Sequence, residues 1–266
     1  MKRTVFTFFM ELLLFTANGQ EKQGRVLYER TVQLHITMQG MAHEMESLLP
    51  HSRKDRLEVL FNNNQSLRST AEEQIPEDPL ADENGLQVHF MVAGANDITY
   101  TNFTTGEVIA QRELGTRNYI ITDSIQKLSW KLTGETSTIL NYPCHKAIAQ
   151  RIGKRTSTSM NNGQLERQEI ADTARITAWF TLAVPVPAGP EYQGQLPGLI
   201  LLVDINDGQT IYQAMEVNTH ADVSAVKPPT KGKKITAAAF AAEQDKLMKN
   251  MGQQHMGGAS TISTHP

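Results

Sequence analysis

Residues 199–217 are LILLVDINDGQTIYQAMEV, and this stretch decides the fold. Apolar residues dominate its first seven positions, whereas apolar and polar residues mostly alternate from Thr210 onward. The tripeptide Asn206-Asp207-Gly208 between the two halves is a strong signal for a tight turn between antiparallel strands. The sequence therefore predicts a β-hairpin whose first strand is buried on both faces over residues 199–203.

Similar short strand patterns continue outward from this hairpin as far back as Gly24. Turn residues separate them, and neither an alternation of strands with helices nor an internal repeat of 20–50 residues is visible. The sequence predicts a mainly β (α+β) fold, an antiparallel meander sheet that is curled or forms a half-barrel, with one β-rich domain over residues 20–226. The candidate strands are residues 25–36, 56–61, 87–92, 98–103, 107–112, 118–122, 128–132, 136–140, 145–151, 164–170, 175–181, 199–205 and 210–217.

Two segments have helical rather than strand patterns. Residues 38–49 and residues 236–251 are rich in helix-forming residues, and Thr236 can cap the second helix. Phe240, Leu247 and Met251 would form an apolar stripe that lies on the sheet. We therefore expect a linker and C-terminal helix over residues 227–251, followed by a flexible tail over residues 252–266.

The first 19 residues have the layout of a secretory signal peptide. Lys2 and Arg3 precede an apolar run over residues 5–15, and Ala17-Asn18-Gly19 offers a small-residue cleavage site before Gln20. A buried N-terminal strand or helix is the alternative. We expect an exported protein, periplasmic or secreted in a Gram-negative bacterium, with no membrane span after cleavage of the signal.

Composition and motifs argue against several functional classes. The chain has 25 Lys and Arg against 28 Asp and Glu, which disfavours a nucleic-acid-binding protein. One cysteine, Cys144, excludes an intramolecular disulfide and zinc motifs that need two thiolates. Nucleophile elbows, phosphate loops and zinc-protease helices are absent, and Cys144 and the adjacent His145 would point to opposite faces of a strand. We therefore expect no enzymatic activity and a buried Cys144.

Several separated motifs point to a family. The heptapeptide Gly194-Gln195-Leu196-Pro197-Gly198-Leu199-Ile200 follows Trp130-Lys131, the segment NYPCHKA at residues 141–147, Trp179 and Gly189-Pro190 in a characteristic order. The chain thus resembles the GLPGLI family of exported bacterial proteins, from whose hexapeptide it departs at Gln195. The resemblance implies a β-rich exported protein of undefined biochemical role, without established catalytic residues. The motif residues expected to be structural are Cys144, Trp179, Gly189, Pro190, Leu196, Pro197, Gly198, Leu199 and Ile200.

The glycines and prolines over residues 187–198 restrict the backbone to particular conformations. A turn that fixes a strand in the sheet is one interpretation, and a rigid loop that presents a binding surface is the other. If Gly198 needs a positive φ or a close backbone approach, replacement by Val should destabilise the fold by about 1–3 kcal/mol. Trp179 is expected to be a core aromatic residue.

Methionine and histidine concentrate in two short clusters. One comprises Met38, Met41, His43 and Met45, and the other Met248, Met251, His255 and Met256. Thioether sulfur selects Cu(I), and imidazole binds either copper state, so both clusters are candidate copper sites. Core packing by flexible methionine side chains is the alternative.

The sequence leaves two functional hypotheses. The first is a non-enzymatic binding protein of the cell envelope with an undefined ligand, whose partner would be an outer-membrane or other envelope protein. The second is a copper-binding or copper-buffering protein that uses the Met/His clusters, with copper as its candidate cofactor. Both hypotheses use the same predicted sheet.

Overall fold

The computed structural model describes residues 22–33, 52–71, 97–161 and 164–256, and gives backbone alone for residues 154–161, 164–170 and 248–256. The predicted signal peptide, the predicted helix over residues 38–49 and the predicted strand over residues 87–92 lie outside the described residues. No helix of the described ranges is long and apolar enough to cross a membrane.

The described chain forms one open sheet of twelve strands and a C-terminal helix. The elements are β1 (Gly24–Gln33), β2 (Ser52–Phe61), β3 (Gln65–Thr70), β4 (Ile98–Asn102), β5 (Glu107–Leu114), β6 (Arg117–Ser124), β7 (Lys131–Ile139), β8 (Tyr142–Asn161), β9 (Gln164–Thr181), β10 (Leu199–Ile205), β11 (Thr210–Asn218), β12 (Lys233–Ile235) and α1 (Ala237–Met256). The predicted mainly β fold with antiparallel strands and a C-terminal helix is confirmed, and the sheet does not close into a barrel.

The sheet consists of two meanders that meet at its centre. Its strand order is β12-β6-β5-β4-β3-β2-β1-β11-β10-β9-β8-β7. In the first meander, β1 to β6 follow one another outward from the centre in chain order. In the second meander, β7 to β11 follow one another from the opposite edge back to β1. The two meanders join where β1 pairs with β11, with Arg30 opposite Tyr212. The pairing of β12 with β6 is parallel, and all the others in the described sheet are antiparallel.

Several strand bounds differ from the prediction. The sequence predicts no strand at β3 or β12, and this is wrong. β3 escapes the hydrophobic pattern because its buried Ser66 is polar and is hydrogen-bonded to Gln193. The predicted strands over residues 128–132 and 136–140 correspond to the single strand β7, whose register shifts around Gly134 at φ 80°. β9 likewise joins two predicted strands into one strand of 18 residues.

The hydrophobic core lies between the sheet and the loop of residues 182–198, which we call the clasp loop. Tyr28 in β1 is fully buried, and its hydroxyl donates to the carbonyl oxygen of Ile200 at 2.7 Å. As predicted, residues 199–203 are almost entirely buried on both faces. The other core residues include Val26, Val59, Phe61, Ala147, Ile176, Ala178, Phe180 and, from the clasp loop, Val184, Val186, Ala188 and Leu196.

The C-terminal helix packs near the edge of the sheet that β6 and β12 form. The amide of Ala239 donates to Thr236 Oγ1 at 3.1 Å, so Thr236 caps the helix as predicted. The Phe240 ring packs edge-on against Tyr119 of β6, with 5.5 Å between ring centroids. The helix continues to Met256, so residues 252–256 of the predicted tail are helical, and residues 257–266 lie outside the described chain.

Candidate functional site

Two glycines allow the clasp loop to lie directly against the sheet. A Cβ on Gly198 would overlap the carbonyl oxygen of Thr181 and stand 2.8 Å from its carbonyl carbon. A Cβ on Gly189 would stand 2.8 Å from Cβ of Ile200. Neither glycine has a positive φ, so close approach is the reason for both. The glycines therefore fix the distance between the clasp loop and the sheet.

Backbone hydrogen bonds fix the course of the clasp loop. The amide of Leu199 donates to the carbonyl oxygen of Val184 at 3.0 Å, and the amide of Ile200 donates to that of Ala188 at 2.9 Å. Within the loop, the amide of Gly194 donates to the carbonyl oxygen of Pro187 at 2.7 Å. The clasp loop is thus ordered by the strand that follows it.

Gln195 connects the clasp loop to the segment before β7. Its side-chain oxygen accepts from the amide of Leu128 at 2.9 Å and from Nε1 of Trp130 at 3.1 Å. Its side-chain nitrogen donates to the carbonyl oxygen of Gln126 at 3.1 Å. Trp130 also packs edge-on against Tyr192, with ring centroids 5.7 Å apart. These contacts draw residues 126–130 toward the clasp loop.

A charged network joins the clasp loop to the first meander. Arg68 of β3 donates to the carbonyl oxygen of Pro190 at 2.6 Å and forms an ion pair with Glu191. The hydroxyl of Tyr212 in β11 donates to Glu191 at 3.3 Å. Burial opposes the charge of Arg68, but Glu191 raises its pKa above the ordinary arginine value. Burial, followed by Glu191, raises the pKa of Tyr212 to about 12.

The network continues to β4 and β5. Nη1 of Arg112 donates to Thr99 Oγ1 at 3.1 Å, and its Nε lies 3.4 Å from the Asp97 carboxylate. Burial lowers the pKa of Arg112, and Asp97 offsets this effect only in part. Arg30 and Asp55 form a further ion pair on β1 and β2. Every arginine of the network has a carboxylate partner, and the network contacts the clasp loop through Arg68 and Tyr212.

The structure separates Cys144 from His145. Cys144 is buried, its thiol donates to the carbonyl oxygen of Tyr142 at 3.3 Å, and burial raises its pKa. His145 is exposed beside Phe180, with 5.9 Å between ring centroids. A raised thiol pKa is the opposite of what an activated nucleophile needs. Trp179 packs against the core but stays half-buried, with the Lys146 ammonium 5.9 Å from its ring centroid.

The predicted copper ligands fall where side chains are not described. Met38, Met41, His43 and Met45 lie outside the described residues, whereas Met248, Met251, His255 and Met256 belong to α1, where backbone alone is given. Among the described residues, no three His, Cys, Asp or Glu side chains are grouped closely enough to hold a metal ion.

Strands β8 and β9 continue well past the rest of the sheet. β7 pairs with β8 only as far as Ile148, and β10 pairs with β9 only as far as Ile176. Beyond these points, Arg175 still bonds to Asn206, and residues 149–161 and 164–174 pair only with each other in the described structure. We call this two-stranded extension, which is about 40 Å long at 3.3 Å per residue, the ribbon.

An open groove of about 510 Å³ lies at the base of the ribbon. Its apolar floor includes Ile148 and Ile152, and the Ile152 side chain is 83% exposed. Lys131 lies on one side, and the ion pair between Arg175 and Asp207 lies on the other. We call this feature the ribbon groove; its remaining lining residues are Ser129, Ala149, Gln150, Ile176 and Thr177.

Sequence reasoning missed the ribbon and its groove. The predicted strand over residues 145–151 stops where β8 becomes a ribbon strand, because residues 153–161 contain Gly153 and many polar side chains. The available signal was the run TSTS at residues 156–159, since threonine favours strands. The whole ribbon sequence also lacks proline.

Known proteins are similar to this chain in two ways, by the sequence of part of the second meander and by the fold. The model of a family described as "Protein of unknown function (Porph_ging)" matches residues 130–202, which run from Trp130 through the clasp loop into β10. The matched residues include Cys144, Trp179 and the hexapeptide. The name of the matched family is not GLPGLI, and its description assigns no function. A search of curated proteins found no similar protein.

Solved structures of PNGF-II in the P21 and C2 space groups are similar in fold, with TM-scores of 0.50 and 0.51 and 16% sequence identity. Both matches cover 85% of this chain but only 34% and 33% of the PNGF-II chains, so the chain spans about a third of the structures it resembles. At this identity the likeness shows the fold alone. The chain is thus similar, over residues 130–202, to a family of unknown function, and it shares a β fold with part of PNGF-II.

Proposed function

We propose that the protein is an exported, non-enzymatic binding protein of the cell envelope, and that the ribbon and its groove form the binding surface. The observation that carries the proposal is a two-stranded ribbon, unpaired on both edges among the described residues, above a groove with an apolar floor. A two-stranded ribbon alone is marginally stable in water, and exposed strand edges bind other strands. A protein partner, such as an outer-membrane or other envelope protein, fits this surface.

The clasp loop is a less suitable binding surface than the ribbon. Most of its apolar side chains are buried in the core, although Leu182 is 46% exposed, and its Glu191 and Gln193 side chains are bonded to the sheet. Little of its chemistry is left for a ligand. The motifs that carry the resemblance to the GLPGLI family all lie within residues 130–202, and we propose membership of that family on this basis.

Site-specific photocrosslinking in the producing cells tests the binding surface. p-Benzoylphenylalanine is introduced at Ile152, and at Met215 in the matched control, because Met215 is a 49% exposed apolar residue of β11 outside the groove. We expect a discrete protein adduct at position 152 and none at position 215. No adduct at position 152, or the same adducts at both positions, would contradict the proposal.

The mass of the mature protein tests export. Cleavage before Gln20 predicts that the purified extracytoplasmic protein lacks residues 1–19. Recovery of the protein only from the cytoplasm, with residues 1–19 still attached, would contradict the proposed location in the cell envelope.

Copper binding is a second candidate, supported by the length of α1. Because the helix continues to Met256, Met248, Met251 and His255 occupy backbone positions three and seven residues apart on one helix. Competition titrations with Cu(I) and Zn(II) should show preferential Cu(I) uptake by the wild type. Exchange of the six clustered methionines for leucine should abolish uptake while the melting temperature is retained. Equal binding by both proteins would eliminate this candidate.

A further inference from the structure

The free edge of β8 begins where the chain before β7 turns away. Lys131 is the first residue of β7 and lies opposite Ile148. The preceding residues do not continue along β8, because Gln195 binds Leu128 and Trp130 and draws them toward the clasp loop. From Ala149 to Asn161, β8 therefore has a strand on one side only in the described structure.

The strand that has this free edge is rich in basic residues. The ribbon part of β8 contains Arg151, Lys154 and Arg155 and no acidic residue, although the whole chain has a net charge of -3. Lys131 adds a fourth cation beside the ribbon groove. The ribbon part of β9 differs, because its three acidic residues accompany two arginines. Of the two ribbon strands, β8 is thus the one whose sequence has a net positive charge.

The apolar floor of the groove has strand periodicity. Ile148 and Ile152 are four residues apart on β8, so their side chains belong to the same face of the strand. Both are exposed. A strand added along residues 149–161 would place its own side chains on that face beside Ile152, and diagonally toward Ile148, whose direct neighbour on this side is Lys131 of β7.

We propose that the ligand of the ribbon is an extended segment with alternating apolar and acidic residues, which adds to the edge of β8 as a third strand. This inference rests on the proposed function and names the partner's chemistry. Backbone hydrogen bonds to the free edge provide affinity, and apolar side chains of the added strand pack beside Ile152. Its acidic residues belong to the opposite face, which positions 151 and 155 of β8 share. The added strand would also stabilise the ribbon, which two strands support poorly.

Fluorescence anisotropy with labelled ten-residue peptides tests the inference. The probes are a peptide of alternating Val and Glu, one of alternating Val and Lys, and the Val/Glu peptide N-methylated at alternate residues. We expect the Val/Glu peptide to bind at least tenfold more tightly than the Val/Lys peptide, and more weakly in 0.5 M salt. N-methylation should weaken binding at least tenfold if it blocks the edge hydrogen bonds.

Charge reversal locates the site. In the variant R151E/K154E/R155E the preference should change to the Val/Lys peptide. In the matched control K227E/K231E/K233E, which changes three exposed lysines outside the ribbon, the preference should stay with the Val/Glu peptide. Melting temperatures of both variants show that each remains folded.

The outcomes distinguish this inference from the proposed function. Equal binding of both peptides, no binding of either, or an unchanged preference after ribbon charge reversal would each overturn the acidic-strand inference. A crosslink at Ile152 in the same protein would then still support a binding surface with another ligand. Absence of that crosslink would overturn the proposed function itself.

Discussion

The clasp loop and the ribbon differ in an unexpected direction. The clasp loop has no regular secondary structure, yet its backbone is held by glycine contacts, by Gln195 and by the Arg68 network. The ribbon has regular strand pairing along its whole length, but in the described structure it lacks a third strand on either edge. Burial and tertiary contacts, rather than regular hydrogen bonding, therefore distinguish the structural region of this molecule from the region that we propose for binding.

The largest difference between the two regions should appear when the same substitution is made in each. Gly198→Val should lower the free energy of unfolding by more than about 3 kcal/mol, because the new Cβ would overlap the Thr181 backbone. Gly153→Val in the ribbon, where no atom lies within 4 Å of the new Cβ, should change it by less than about 0.5 kcal/mol. Urea denaturation measures both, and equal effects would contradict the comparison.

The next test removes a charge from each region. Arg68→Met removes the cation that is paired with Glu191 and the donor to the Pro190 carbonyl, and should cost about 3 kcal/mol. The matched change Arg151→Met removes an exposed ribbon cation and should have almost no effect on stability. If denaturation midpoints show that Arg68→Met is as stable as the wild type, the network does not hold the clasp loop.

Gln195 should have a smaller effect. Gln195→Ala removes three hydrogen bonds to residues 126–130 and should cost about 1–2 kcal/mol in urea denaturation. Gln150→Ala, an exposed residue of the ribbon groove, provides the matched control. A loss of Val/Glu peptide binding in Gln195→Ala, but not in a similarly destabilised core variant, would link Gln195 to the opening of the β8 edge.

Alkaline pH should weaken the attachment of the clasp loop through Tyr212. Its pKa is raised to about 12 in the folded protein, above the ordinary value near 10, so its contribution is complete below pH 10 and is lost as pH rises toward 12. Through Tyr212, the free energy of unfolding should fall by about 1 kcal/mol between pH 8 and pH 11. Urea denaturation at pH 8 and pH 11 should show a smaller decrease for Tyr212→Phe than for the wild type. Identical decreases would exclude Tyr212 as a source.

The smallest effect on stability is expected from shortening the ribbon. Ile152 lies opposite Thr173, so an Asn-Gly turn in place of residues 153–172 would close the hairpin at its base. The free energy of unfolding should change by less than about 0.5 kcal/mol, while peptide binding and the crosslink at Ile152 should be lost. A large drop in the melting temperature would show that the ribbon supports the sheet.

The sequence predicts the parts of the fold in which hydrophobic pattern and turn chemistry agree. The β10–β11 hairpin forms at Asn206-Asp207-Gly208, where all three residues have positive φ, and Thr236 caps α1. The pattern fails at β3, because its buried Ser66 is satisfied by Gln193, 127 residues away in the chain. A hydrogen bond of such long range leaves no local signal.

The candidate site was less predictable for the same reason. The glycine and proline content of residues 187–198 indicates a constrained loop, but the partner of Gly198 is the backbone of Thr181, which only the folded sheet brings close. The ribbon groove depends on where β7 and β10 stop pairing, and that is a property of the whole sheet. Single-residue patterns therefore indicated the structural loop and missed the surface that we propose for binding.

The central position of β1 also determines the order in which the sheet can form. Val26 pairs with Val59 in β2, but also with Val217 in β11, which is synthesised almost 200 residues later. The outer edge of β6 similarly stays unpaired until the short parallel strand β12 has been synthesised. Folding of this sheet is therefore non-local and slow, because contacts between distant residues carry a large loop-closure cost. Among the described residues, β1 and β6 each lack one neighbouring strand until residues 210–235 have been made, so we expect the last part of the chain to protect the first from aggregation.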